Sequence, residues 1–168
     1  MGKERPNQSS ARDEGYMDRA RILAQDAASQ DEVPVGAIIL VDDVLAGEGF
    51  NRNIGQHDPT AHAEIEALRQ ACSYVENHRL VQGELFVTLE PCPMCFHALV
   101  QARIKRIVIG ARDPKGGFSR FFSSDDLENM NHQPEIVWDV QEEACRELVV
   151  SFFRKKRERG KRKWLREN

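Results

Sequence analysis

The sequence predicts an α/β fold, a three-layer α/β/α sandwich in which a mixed five-stranded sheet lies between helices. Short runs rich in Val and Ile alternate with segments whose apolar residues recur every three or four positions. Two of these runs are separated only by Asp42-Asp43, which indicates an antiparallel hairpin. Helical segments separate the later runs, which indicates parallel strands there. With 168 residues, 40% of them hydrophobic, the chain suffices for one domain with one core.

The predicted order of elements is α-β-β-α-β-α-β-β-α. In the N-terminal half, the spacing of Met17, Ala20, Ala24 and Ala27 predicts a helix over 16–30. Strands over 33–41 and 44–50 follow, then a loop over 51–60, then a helix that is capped by Asp58 or Thr60 and runs to about residue 75.

The C-terminal half alternates strands with helices. Pro93 begins a predicted short helix over 93–103, because proline is tolerated in a first helical turn. A stripe that includes Leu148, Val149 and Phe152 predicts a long final helix from Gln141. The remaining predicted elements are strands over 84–89, 104–111 and 135–138, a loop over 113–117 and a helical turn over 124–130.

Charge is distributed unevenly, although the net charge is only −3. Residues 154–168 contain nine Lys or Arg and two Glu, a net charge of +7 on the end of an otherwise acidic chain. A cationic end of this kind is typical of contact with a polyanion such as nucleic acid, or of a solvated helix end. We therefore divide the chain into a loose polar arm (1–14), one domain (15–153) and a basic helix end (154–168).

Composition excludes a membrane protein. No apolar run approaches the roughly 20 residues of a membrane span. The polar N-terminal segment lacks the apolar stretch of a secretory signal. We therefore expect a cytoplasmic protein with unpaired cysteines. Cys72 and Cys145 lie in helical patterns, which favours a packing role for both.

The strongest chemical signal is His62-Ala63-Glu64 followed by Pro91-Cys92-Pro93-Met94-Cys95. C-x-x-C alone could be a redox pair, but together these segments match H-x-E…P-C-x-x-C, the established signature of zinc-dependent nucleobase deaminases. His62, Cys92 and Cys95 are the predicted zinc ligands, and three protein ligands leave the open position of a catalytic site. His62 and Glu64 can converge only where a helix begins, because positions i and i+2 diverge by about 200° within one.

Glu64 is the predicted general acid and base. Such a carboxyl takes a proton from the attacking water and delivers protons to a ring nitrogen and to the departing amine. The reaction replaces an exocyclic amino group by a carbonyl and releases ammonia. Glu64 must remain outside the metal's ligand set, because a coordinated carboxylate could not move protons freely.

Further segments, over roughly residues 16–157, resemble the bacterial tRNA-specific adenosine deaminase family of the cytidine-deaminase-like superfamily. The resemblance implies hydrolysis of adenosine to inosine at the wobble position of a tRNA anticodon loop, by a cytosolic homodimer with one zinc ion per subunit. The segments that carry it are Val33-Pro34-Val35-Gly36-Ala37, Asn51-Arg52-Asn53, His57 to Glu64, Thr88 to Cys92, Gly110-Ala111-Arg112-Asp113, Asn131-His132 and Phe152-Phe153-Arg154.

The resemblance also implies a set of substrate contacts. Aromatic and cationic side chains suit a single-stranded RNA loop, whose bases can be splayed out and stacked. By position, the contacts would be Asn51 on the target base, Val33 and Leu89 in its pocket, Asp113 beside the RNA backbone, and Phe152, Phe153 and Arg154 on neighbouring nucleotides.

Two segments depart from the family pattern. Phe96-His97 stand where small residues are usual, and residues 118–122 introduce three aromatic residues and an Arg. These residues could alter how RNA is held or could pack in a dimer interface. Two other functions stay open: a free-base or nucleoside deaminase such as a guanine deaminase, and a non-catalytic RNA-binding protein with a structural zinc ion.

Overall fold

The computed structural model describes residues 10–167, with side chains up to residue 162. Helices and strands alternate along this part of the chain in the predicted order, with one additional short helix, α2, in the predicted loop over 51–60. The elements are α1 (Ala11–Ser29), β1 (Gly36–Val41), β2 (Val44–Phe50), α2 (Asn53–Gln56), α3 (Ala63–Tyr74), β3 (Gly83–Leu89), α4 (Pro93–Gln101), β4 (Arg106–Ala111), a 3₁₀ turn (Phe118–Arg120), α5 (Ser124–Glu128), β5 (Glu135–Val137) and α6 (Glu142–Glu167).

The five strands form one mixed sheet in the order β2-β1-β3-β4-β5. β1 pairs antiparallel with both β2 and β3, whereas β3, β4 and β5 are parallel. The predicted mixed five-stranded sheet is therefore confirmed. Because β3 and β4 are parallel, the segments that follow Leu89 and Ala111 leave the sheet at the same edge.

Helices cover both faces of the sheet and complete the predicted three-layer sandwich. Side chains alternate between the faces of a strand, so Leu85 and Val87 of β3 pack in one core cluster and Phe86 in the other. The first cluster includes residues of α3 and α4, and the second includes residues of α1 and α6. The buried runs on both faces explain why the strands are rich in Val and Ile.

Helix α3 approaches β2 closely, and this approach fixes where its N-terminus lies. A Cβ atom on Gly47 would overlap the carbonyl oxygen of Ala67, and one on Gly49 would lie 2.6 Å from that of Ala63. Glycine at these two strand positions therefore lets the helix backbone rest on the sheet.

Helix α1 begins five residues before the predicted position. Ser10 and Asp13 form a capping box, in which each side chain accepts a hydrogen bond from the other's backbone nitrogen. Asp13 also accepts two hydrogen bonds of 2.8 Å from Arg106 at the start of β4. The arm predicted for residues 1–14 is therefore wrong for residues 10–14, and residues 1–9 lie outside the described part.

Other boundaries differ because local patterns do not identify the capping residue. His62, not Asp58 or Thr60, is the N-cap of α3, and Asp58 instead accepts hydrogen bonds from the backbone and hydroxyl of Thr60. Helix α6 continues without a break from Glu142 to Glu167, as expected for a long final helix with a basic end. Within the described residues, no helix is long and apolar enough to cross a membrane.

Candidate active site

One imidazole and two thiol groups meet where two helices begin. His62 is the N-cap of α3, Cys92 is the N-cap of α4, and Cys95 lies in the first turn of α4. The Nδ1 atom of His62 lies 3.6 Å from Sγ of Cys92 and 3.4 Å from Sγ of Cys95. All three ligand atoms lie within 4.8 Å of one another. A tetrahedral zinc ion places such N and S atoms about 3.6 Å apart, so the donor set fits zinc.

The side chain of Asn51, rather than that of His62, binds the N-terminus of α3. Helix N-termini carry unpaired backbone N–H groups, which an N-cap side chain usually satisfies. His62 makes no such side-chain hydrogen bond. Instead, Oδ1 of buried Asn51 accepts a hydrogen bond of 2.9 Å from the backbone nitrogen of Ala63. This contact identifies Oδ1 as the accepting atom of the amide, so Nδ2 is its hydrogen-bond donor.

The two thiols differ in their protonation. Hydrogen bonds from Cys95 and His62 lower the pKa of Cys92 to about 4, against the opposing effect of burial. The pKa of Cys95 is raised, because its proton is held in a hydrogen bond to Cys92 and because the thiol is buried. The pKa of His62 is raised, chiefly by its hydrogen bond with Cys92. Metal ligation would replace the shared proton, since zinc binds thiolates.

Glu64 lies in the first turn of α3, close to His62 but outside the ligand set. Its side chain is buried, and the group of possible metal ligands found among the described residues consists of His62, Cys92 and Cys95. Burial raises the pKa of Glu64 to about 7, although its backbone hydrogen bond and His62 oppose that rise. A carboxyl with a pKa near neutrality can both accept and donate protons.

A cavity of about 680 Å³ lies between α6 and the ends of β3 and β4. The resemblance assigns a substrate contact to seven residues, and four of them line this cavity: Val33, Leu89, Asp113 and Phe153. Apolar walls with a few polar groups are typical of ligand sites. Four cationic residues also line this cavity: Arg112, Lys115, Arg146 and Arg157.

The structure places the other three candidates differently. Asn51 is at the N-terminus of α3, as described above. Phe152 is buried, and its ring makes an edge contact with that of Phe153 at 5.4 Å, so it supports Phe153 from the core. Arg154 is exposed and donates a hydrogen bond of 3.2 Å to Glu147 on the surface of α6.

Asp113 shapes the loop that follows β4. Its Oδ1 accepts hydrogen bonds from the backbone nitrogens of Lys115 and Gly116, at 3.0 and 3.1 Å. One carboxylate oxygen therefore forms the turn. The other oxygen, Oδ2, is not used by these bonds.

The residues that depart from the family pattern pack mainly in the core. The rings of Phe96 and Phe118 are stacked with their centroids 3.9 Å apart, and both side chains are buried. Trp138 stacks on the other side of Phe118 at 5.6 Å. Phe121 and His97 are exposed, and His97 contacts Gln101 rather than the thiol cluster.

Sequence reasoning missed two buried carboxylates beside the site, Glu32 and Glu90. Each is the direct neighbour in sequence of a predicted pocket residue, Val33 or Leu89. Each of them directly borders an apolar segment, Glu32 before Val33 and Glu90 after Leu89. This position was the signal that could have identified them, because a carboxylate that is buried beside such a segment requires partners.

The chain is similar to several known deaminases. Residues 11–157 match the family of MafB19-like deaminases. The tRNA-specific adenosine deaminase of Haemophilus influenzae is 48% identical over 153 residues, which cover 89% of this chain and 87% of that protein. A solved structure from a study of A-to-I editing by tRNA:A34 deaminases is 37% identical, with a TM-score of 0.75 over 80% of this chain and 99% of that one. The guanine deaminase of Bacillus subtilis is also 37% identical, but with a TM-score of 0.56 over 59% of this chain and 64% of that one.

The match at 48% identity extends over most of both chains, and the fold is that of the solved deaminases. The chain belongs to the family of tRNA-specific adenosine deaminases, within the MafB19-like deaminases.

Proposed function

We propose that this chain hydrolyses adenosine to inosine at the wobble position of a tRNA anticodon loop and releases ammonia. The observation that carries the proposal is the placement of buried Glu64 beside the cluster of His62, Cys92 and Cys95. Membership of the tRNA-specific adenosine deaminase family supplies the substrate class.

His62, Cys92 and Cys95 would hold one zinc ion. When bound, zinc supplies a Lewis acid that lowers the pKa of water from about 15.7 towards about 7. The positive ends of α3 and α4 favour the thiolate forms of the cysteines that such an ion requires.

Glu64 moves the protons of the reaction. It takes a proton from the water that adds to C6 of adenine and delivers it to the ring nitrogen N1. It then takes the proton of the hydroxyl group now on C6 and transfers it to the amino group. The C6–O bond becomes a carbonyl as the C6–N6 bond breaks, and ammonia leaves. Glu64 ends the cycle in its starting state, so one carboxyl serves as both base and acid. The side chain of Glu64 is buried, and its pKa near 7 suits it both to accept and to donate a proton.

The base and its neighbours occupy the cavity between α6 and the ends of β3 and β4, where the chain continues from Leu89 to Cys92 three residues later. Asn51 donates from Nδ2 to the base, and Val33 and Leu89 contact its faces. Asp113 lies beside the RNA backbone, and Phe153, supported by Phe152, stacks on a neighbouring nucleotide, with Arg154 at its edge. A single-stranded loop suits this arrangement, because its bases are splayed out at small cost.

The basic end of α6 favours RNA over a free base. Helix α6 passes along the cavity and continues through its cationic residues to Glu167. The cationic side chains of such a helix bind phosphate groups, which RNA carries and a free purine base lacks. We further propose that the protein acts in the cytoplasm, where tRNA is available, as a homodimer.

The test compares substrates on the same preparation. Inosine formation in an anticodon stem-loop with adenosine at the wobble position is measured beside ammonia release from free guanine, cytidine and adenosine. We expect turnover of the stem-loop only. Turnover of free guanine without any stem-loop activity would refute the proposal and favour a guanine deaminase. RNA binding without turnover of any substrate would favour a non-catalytic protein.

A further inference from the structure

The carboxylates of Glu32 and Glu90 are both bound by backbone N–H groups of loops that flank the site. Glu32 is 3% exposed and Glu90 is 4% exposed. Each carboxylate accepts two hydrogen bonds, one on each oxygen, and both bonds come from the same loop. The two loops are different, and each contains one proposed substrate contact, Asn51 or Asp113.

Glu90 fastens the loop over 113–119 to the end of β3. Its Oε2 accepts a hydrogen bond of 3.0 Å from the backbone nitrogen of Asp113, and its Oε1 accepts one of 2.9 Å from that of Ser119. Between these points, the backbone nitrogen of Phe118 donates to the carbonyl of Pro91 at 2.9 Å. A Cβ atom on Gly117 would overlap the carboxylate of Glu90. The loop is therefore closed on the segment that precedes the metal ligands.

Glu32 fastens the loop over 51–58, which includes the short helix α2, and binds two backbone N–H groups of that helix. Its Oε1 accepts a hydrogen bond of 2.7 Å from the backbone nitrogen of Gly55, and its Oε2 accepts one of 3.2 Å from that of Ile54. This loop begins at Asn51, whose side chain meets the first turn of α3. Glu32 thus joins the segment before β1 to the segment before α3.

We propose that Glu32 and Glu90 are positioning residues that hold these two loops, and thereby Asn51 and Asp113, in the geometry required by the substrate. Hydrogen bonds to an ionised group are roughly twice as strong as neutral ones, so two of them hold a loop firmly. The substrate contacts invoked here rest on the function proposed above. The loop contacts themselves are independent of it.

The test replaces each glutamate by its isostere. In Glu90→Gln and Glu32→Gln, one acceptor oxygen becomes an NH₂ group that faces a backbone N–H, so one of the two hydrogen bonds is lost. Glu135→Gln is the matched control, because Glu135 is exposed and pairs with Arg106 at the opposite end of the sheet. Zinc content, thermal midpoint, kcat, KM and amide hydrogen exchange are measured for each variant.

We expect both variants to lose between about tenfold and about 10²-fold in kcat/KM, since misplacement of substrate contacts has effects of this size. Glu90→Gln should mainly raise KM, through Asp113, and Glu32→Gln should mainly lower kcat, through Asn51. Amide exchange should rise at Ser119 only in Glu90→Gln and at Gly55 only in Glu32→Gln. Zinc content and the thermal midpoint should stay close to those of the control.

Two outcomes would overturn the proposal: unchanged kcat/KM despite faster exchange in the loop, or a loss of activity that only follows a loss of zinc or of folded protein. Should Glu90→Gln fail to fold, Gly117→Ala perturbs the same contact from the loop side and should raise KM similarly. If the wild type turns over a free base but no stem-loop, the proposed function fails. The same variants are then compared on that base.

Discussion

The side chain of Asn51 caps the helix that begins at His62, through a hydrogen bond of 2.9 Å from the backbone nitrogen of Ala63 to Oδ1. A residue outside the helix thus satisfies the backbone donor of the first helical residue, while the N-cap residue His62 makes no capping bond with its side chain. The imidazole of His62 faces Cys92 and Cys95. Asn51 therefore contacts the helix end that carries His62 and, in the function proposed above, also contacts the target base.

The two functions of Asn51 can be separated by substitution. Asn51→Asp keeps an acceptor for Ala63 but removes the Nδ2 donor, so stability should change little while kcat/KM falls by about tenfold or more. Asn51→Ala removes the cap as well and should lower the free energy of unfolding by about 1 kcal/mol. Urea unfolding and steady-state kinetics measure the two effects. Equal kinetics for Asn51→Asp and wild type would exclude a role for Nδ2.

Removal of the Glu64 carboxyl should separate binding from chemistry. Glu64→Ala should retain zinc and stem-loop affinity but lose about 10²–10⁴-fold in kcat, the usual contribution of a positioned acid and base. Glu66→Ala is the control, because Glu66 lies on the same helix and pairs with Arg69 at the surface. Single-turnover inosine formation measures the loss. Persistent activity in Glu64→Ala would refute the proton-transfer role.

Metal content should depend on three residues. We expect one zinc ion per chain by elemental analysis, and well below one in His62→Ala and Cys92→Ser, because a tetrahedral site with three protein ligands loses affinity with each of them. Cys72→Ser is the control, since Cys72 is half-buried in α3 and outside the ligand cluster. Wild-type protein purified without stoichiometric zinc would contradict the assignment.

The basic end of α6 should contribute to RNA affinity through phosphate contacts. Removal of residues 155–168 should weaken stem-loop binding and reduce the slope of log affinity against log salt, by about 0.7 for each lost contact. Arg157→Gln should reduce the slope more than Arg159→Gln, because Arg157 lines the cavity whereas Arg159 already pairs with Asp31 at 2.7 Å. A salt slope that is unchanged by the truncation would show that the segment makes no phosphate contact.

Acid stability should depend on the contact between α1 and β4. Arg106 holds the pKa of Asp13 below its ordinary value through hydrogen bonds. The pair therefore stabilises the fold fully above about pH 5, and this stabilisation is lost as the pH falls through the lowered pKa. Asp13→Asn should lower the free energy of unfolding by about 2 kcal/mol at pH 7 and by less at pH 3.

The control for this prediction is Asp126→Asn. Asp126 occupies the same capping-box position in α5, opposite Ser123, but is exposed. Thermal midpoints between pH 3 and pH 7 should change little in this variant. An equal loss in Asp13→Asn at every pH would show that the Arg106 pair does not titrate in this range.

Local sequence patterns determined most of the fold. Apolar residues at helical or alternating spacing bury one face of each element, so the periodicity alone predicted the strands and the mixed sheet. The pattern H-x-E…P-C-x-x-C also predicted that His62, Glu64, Cys92 and Cys95 form one group. The spacing of His62 and Glu64 further required that a helix begin there, because the two side chains would diverge within a helix.

Only the tertiary structure decided which residues hold that group in place. The bonds from Ile54 to Glu32, from Asp113 to Glu90 and from Ala63 to Asn51 join residues that are 22, 23 and 12 positions apart. The stack of Phe96 on Phe118 likewise depends on packing between a helix and a loop. Such contacts arise when elements dock, and no local periodicity specifies them.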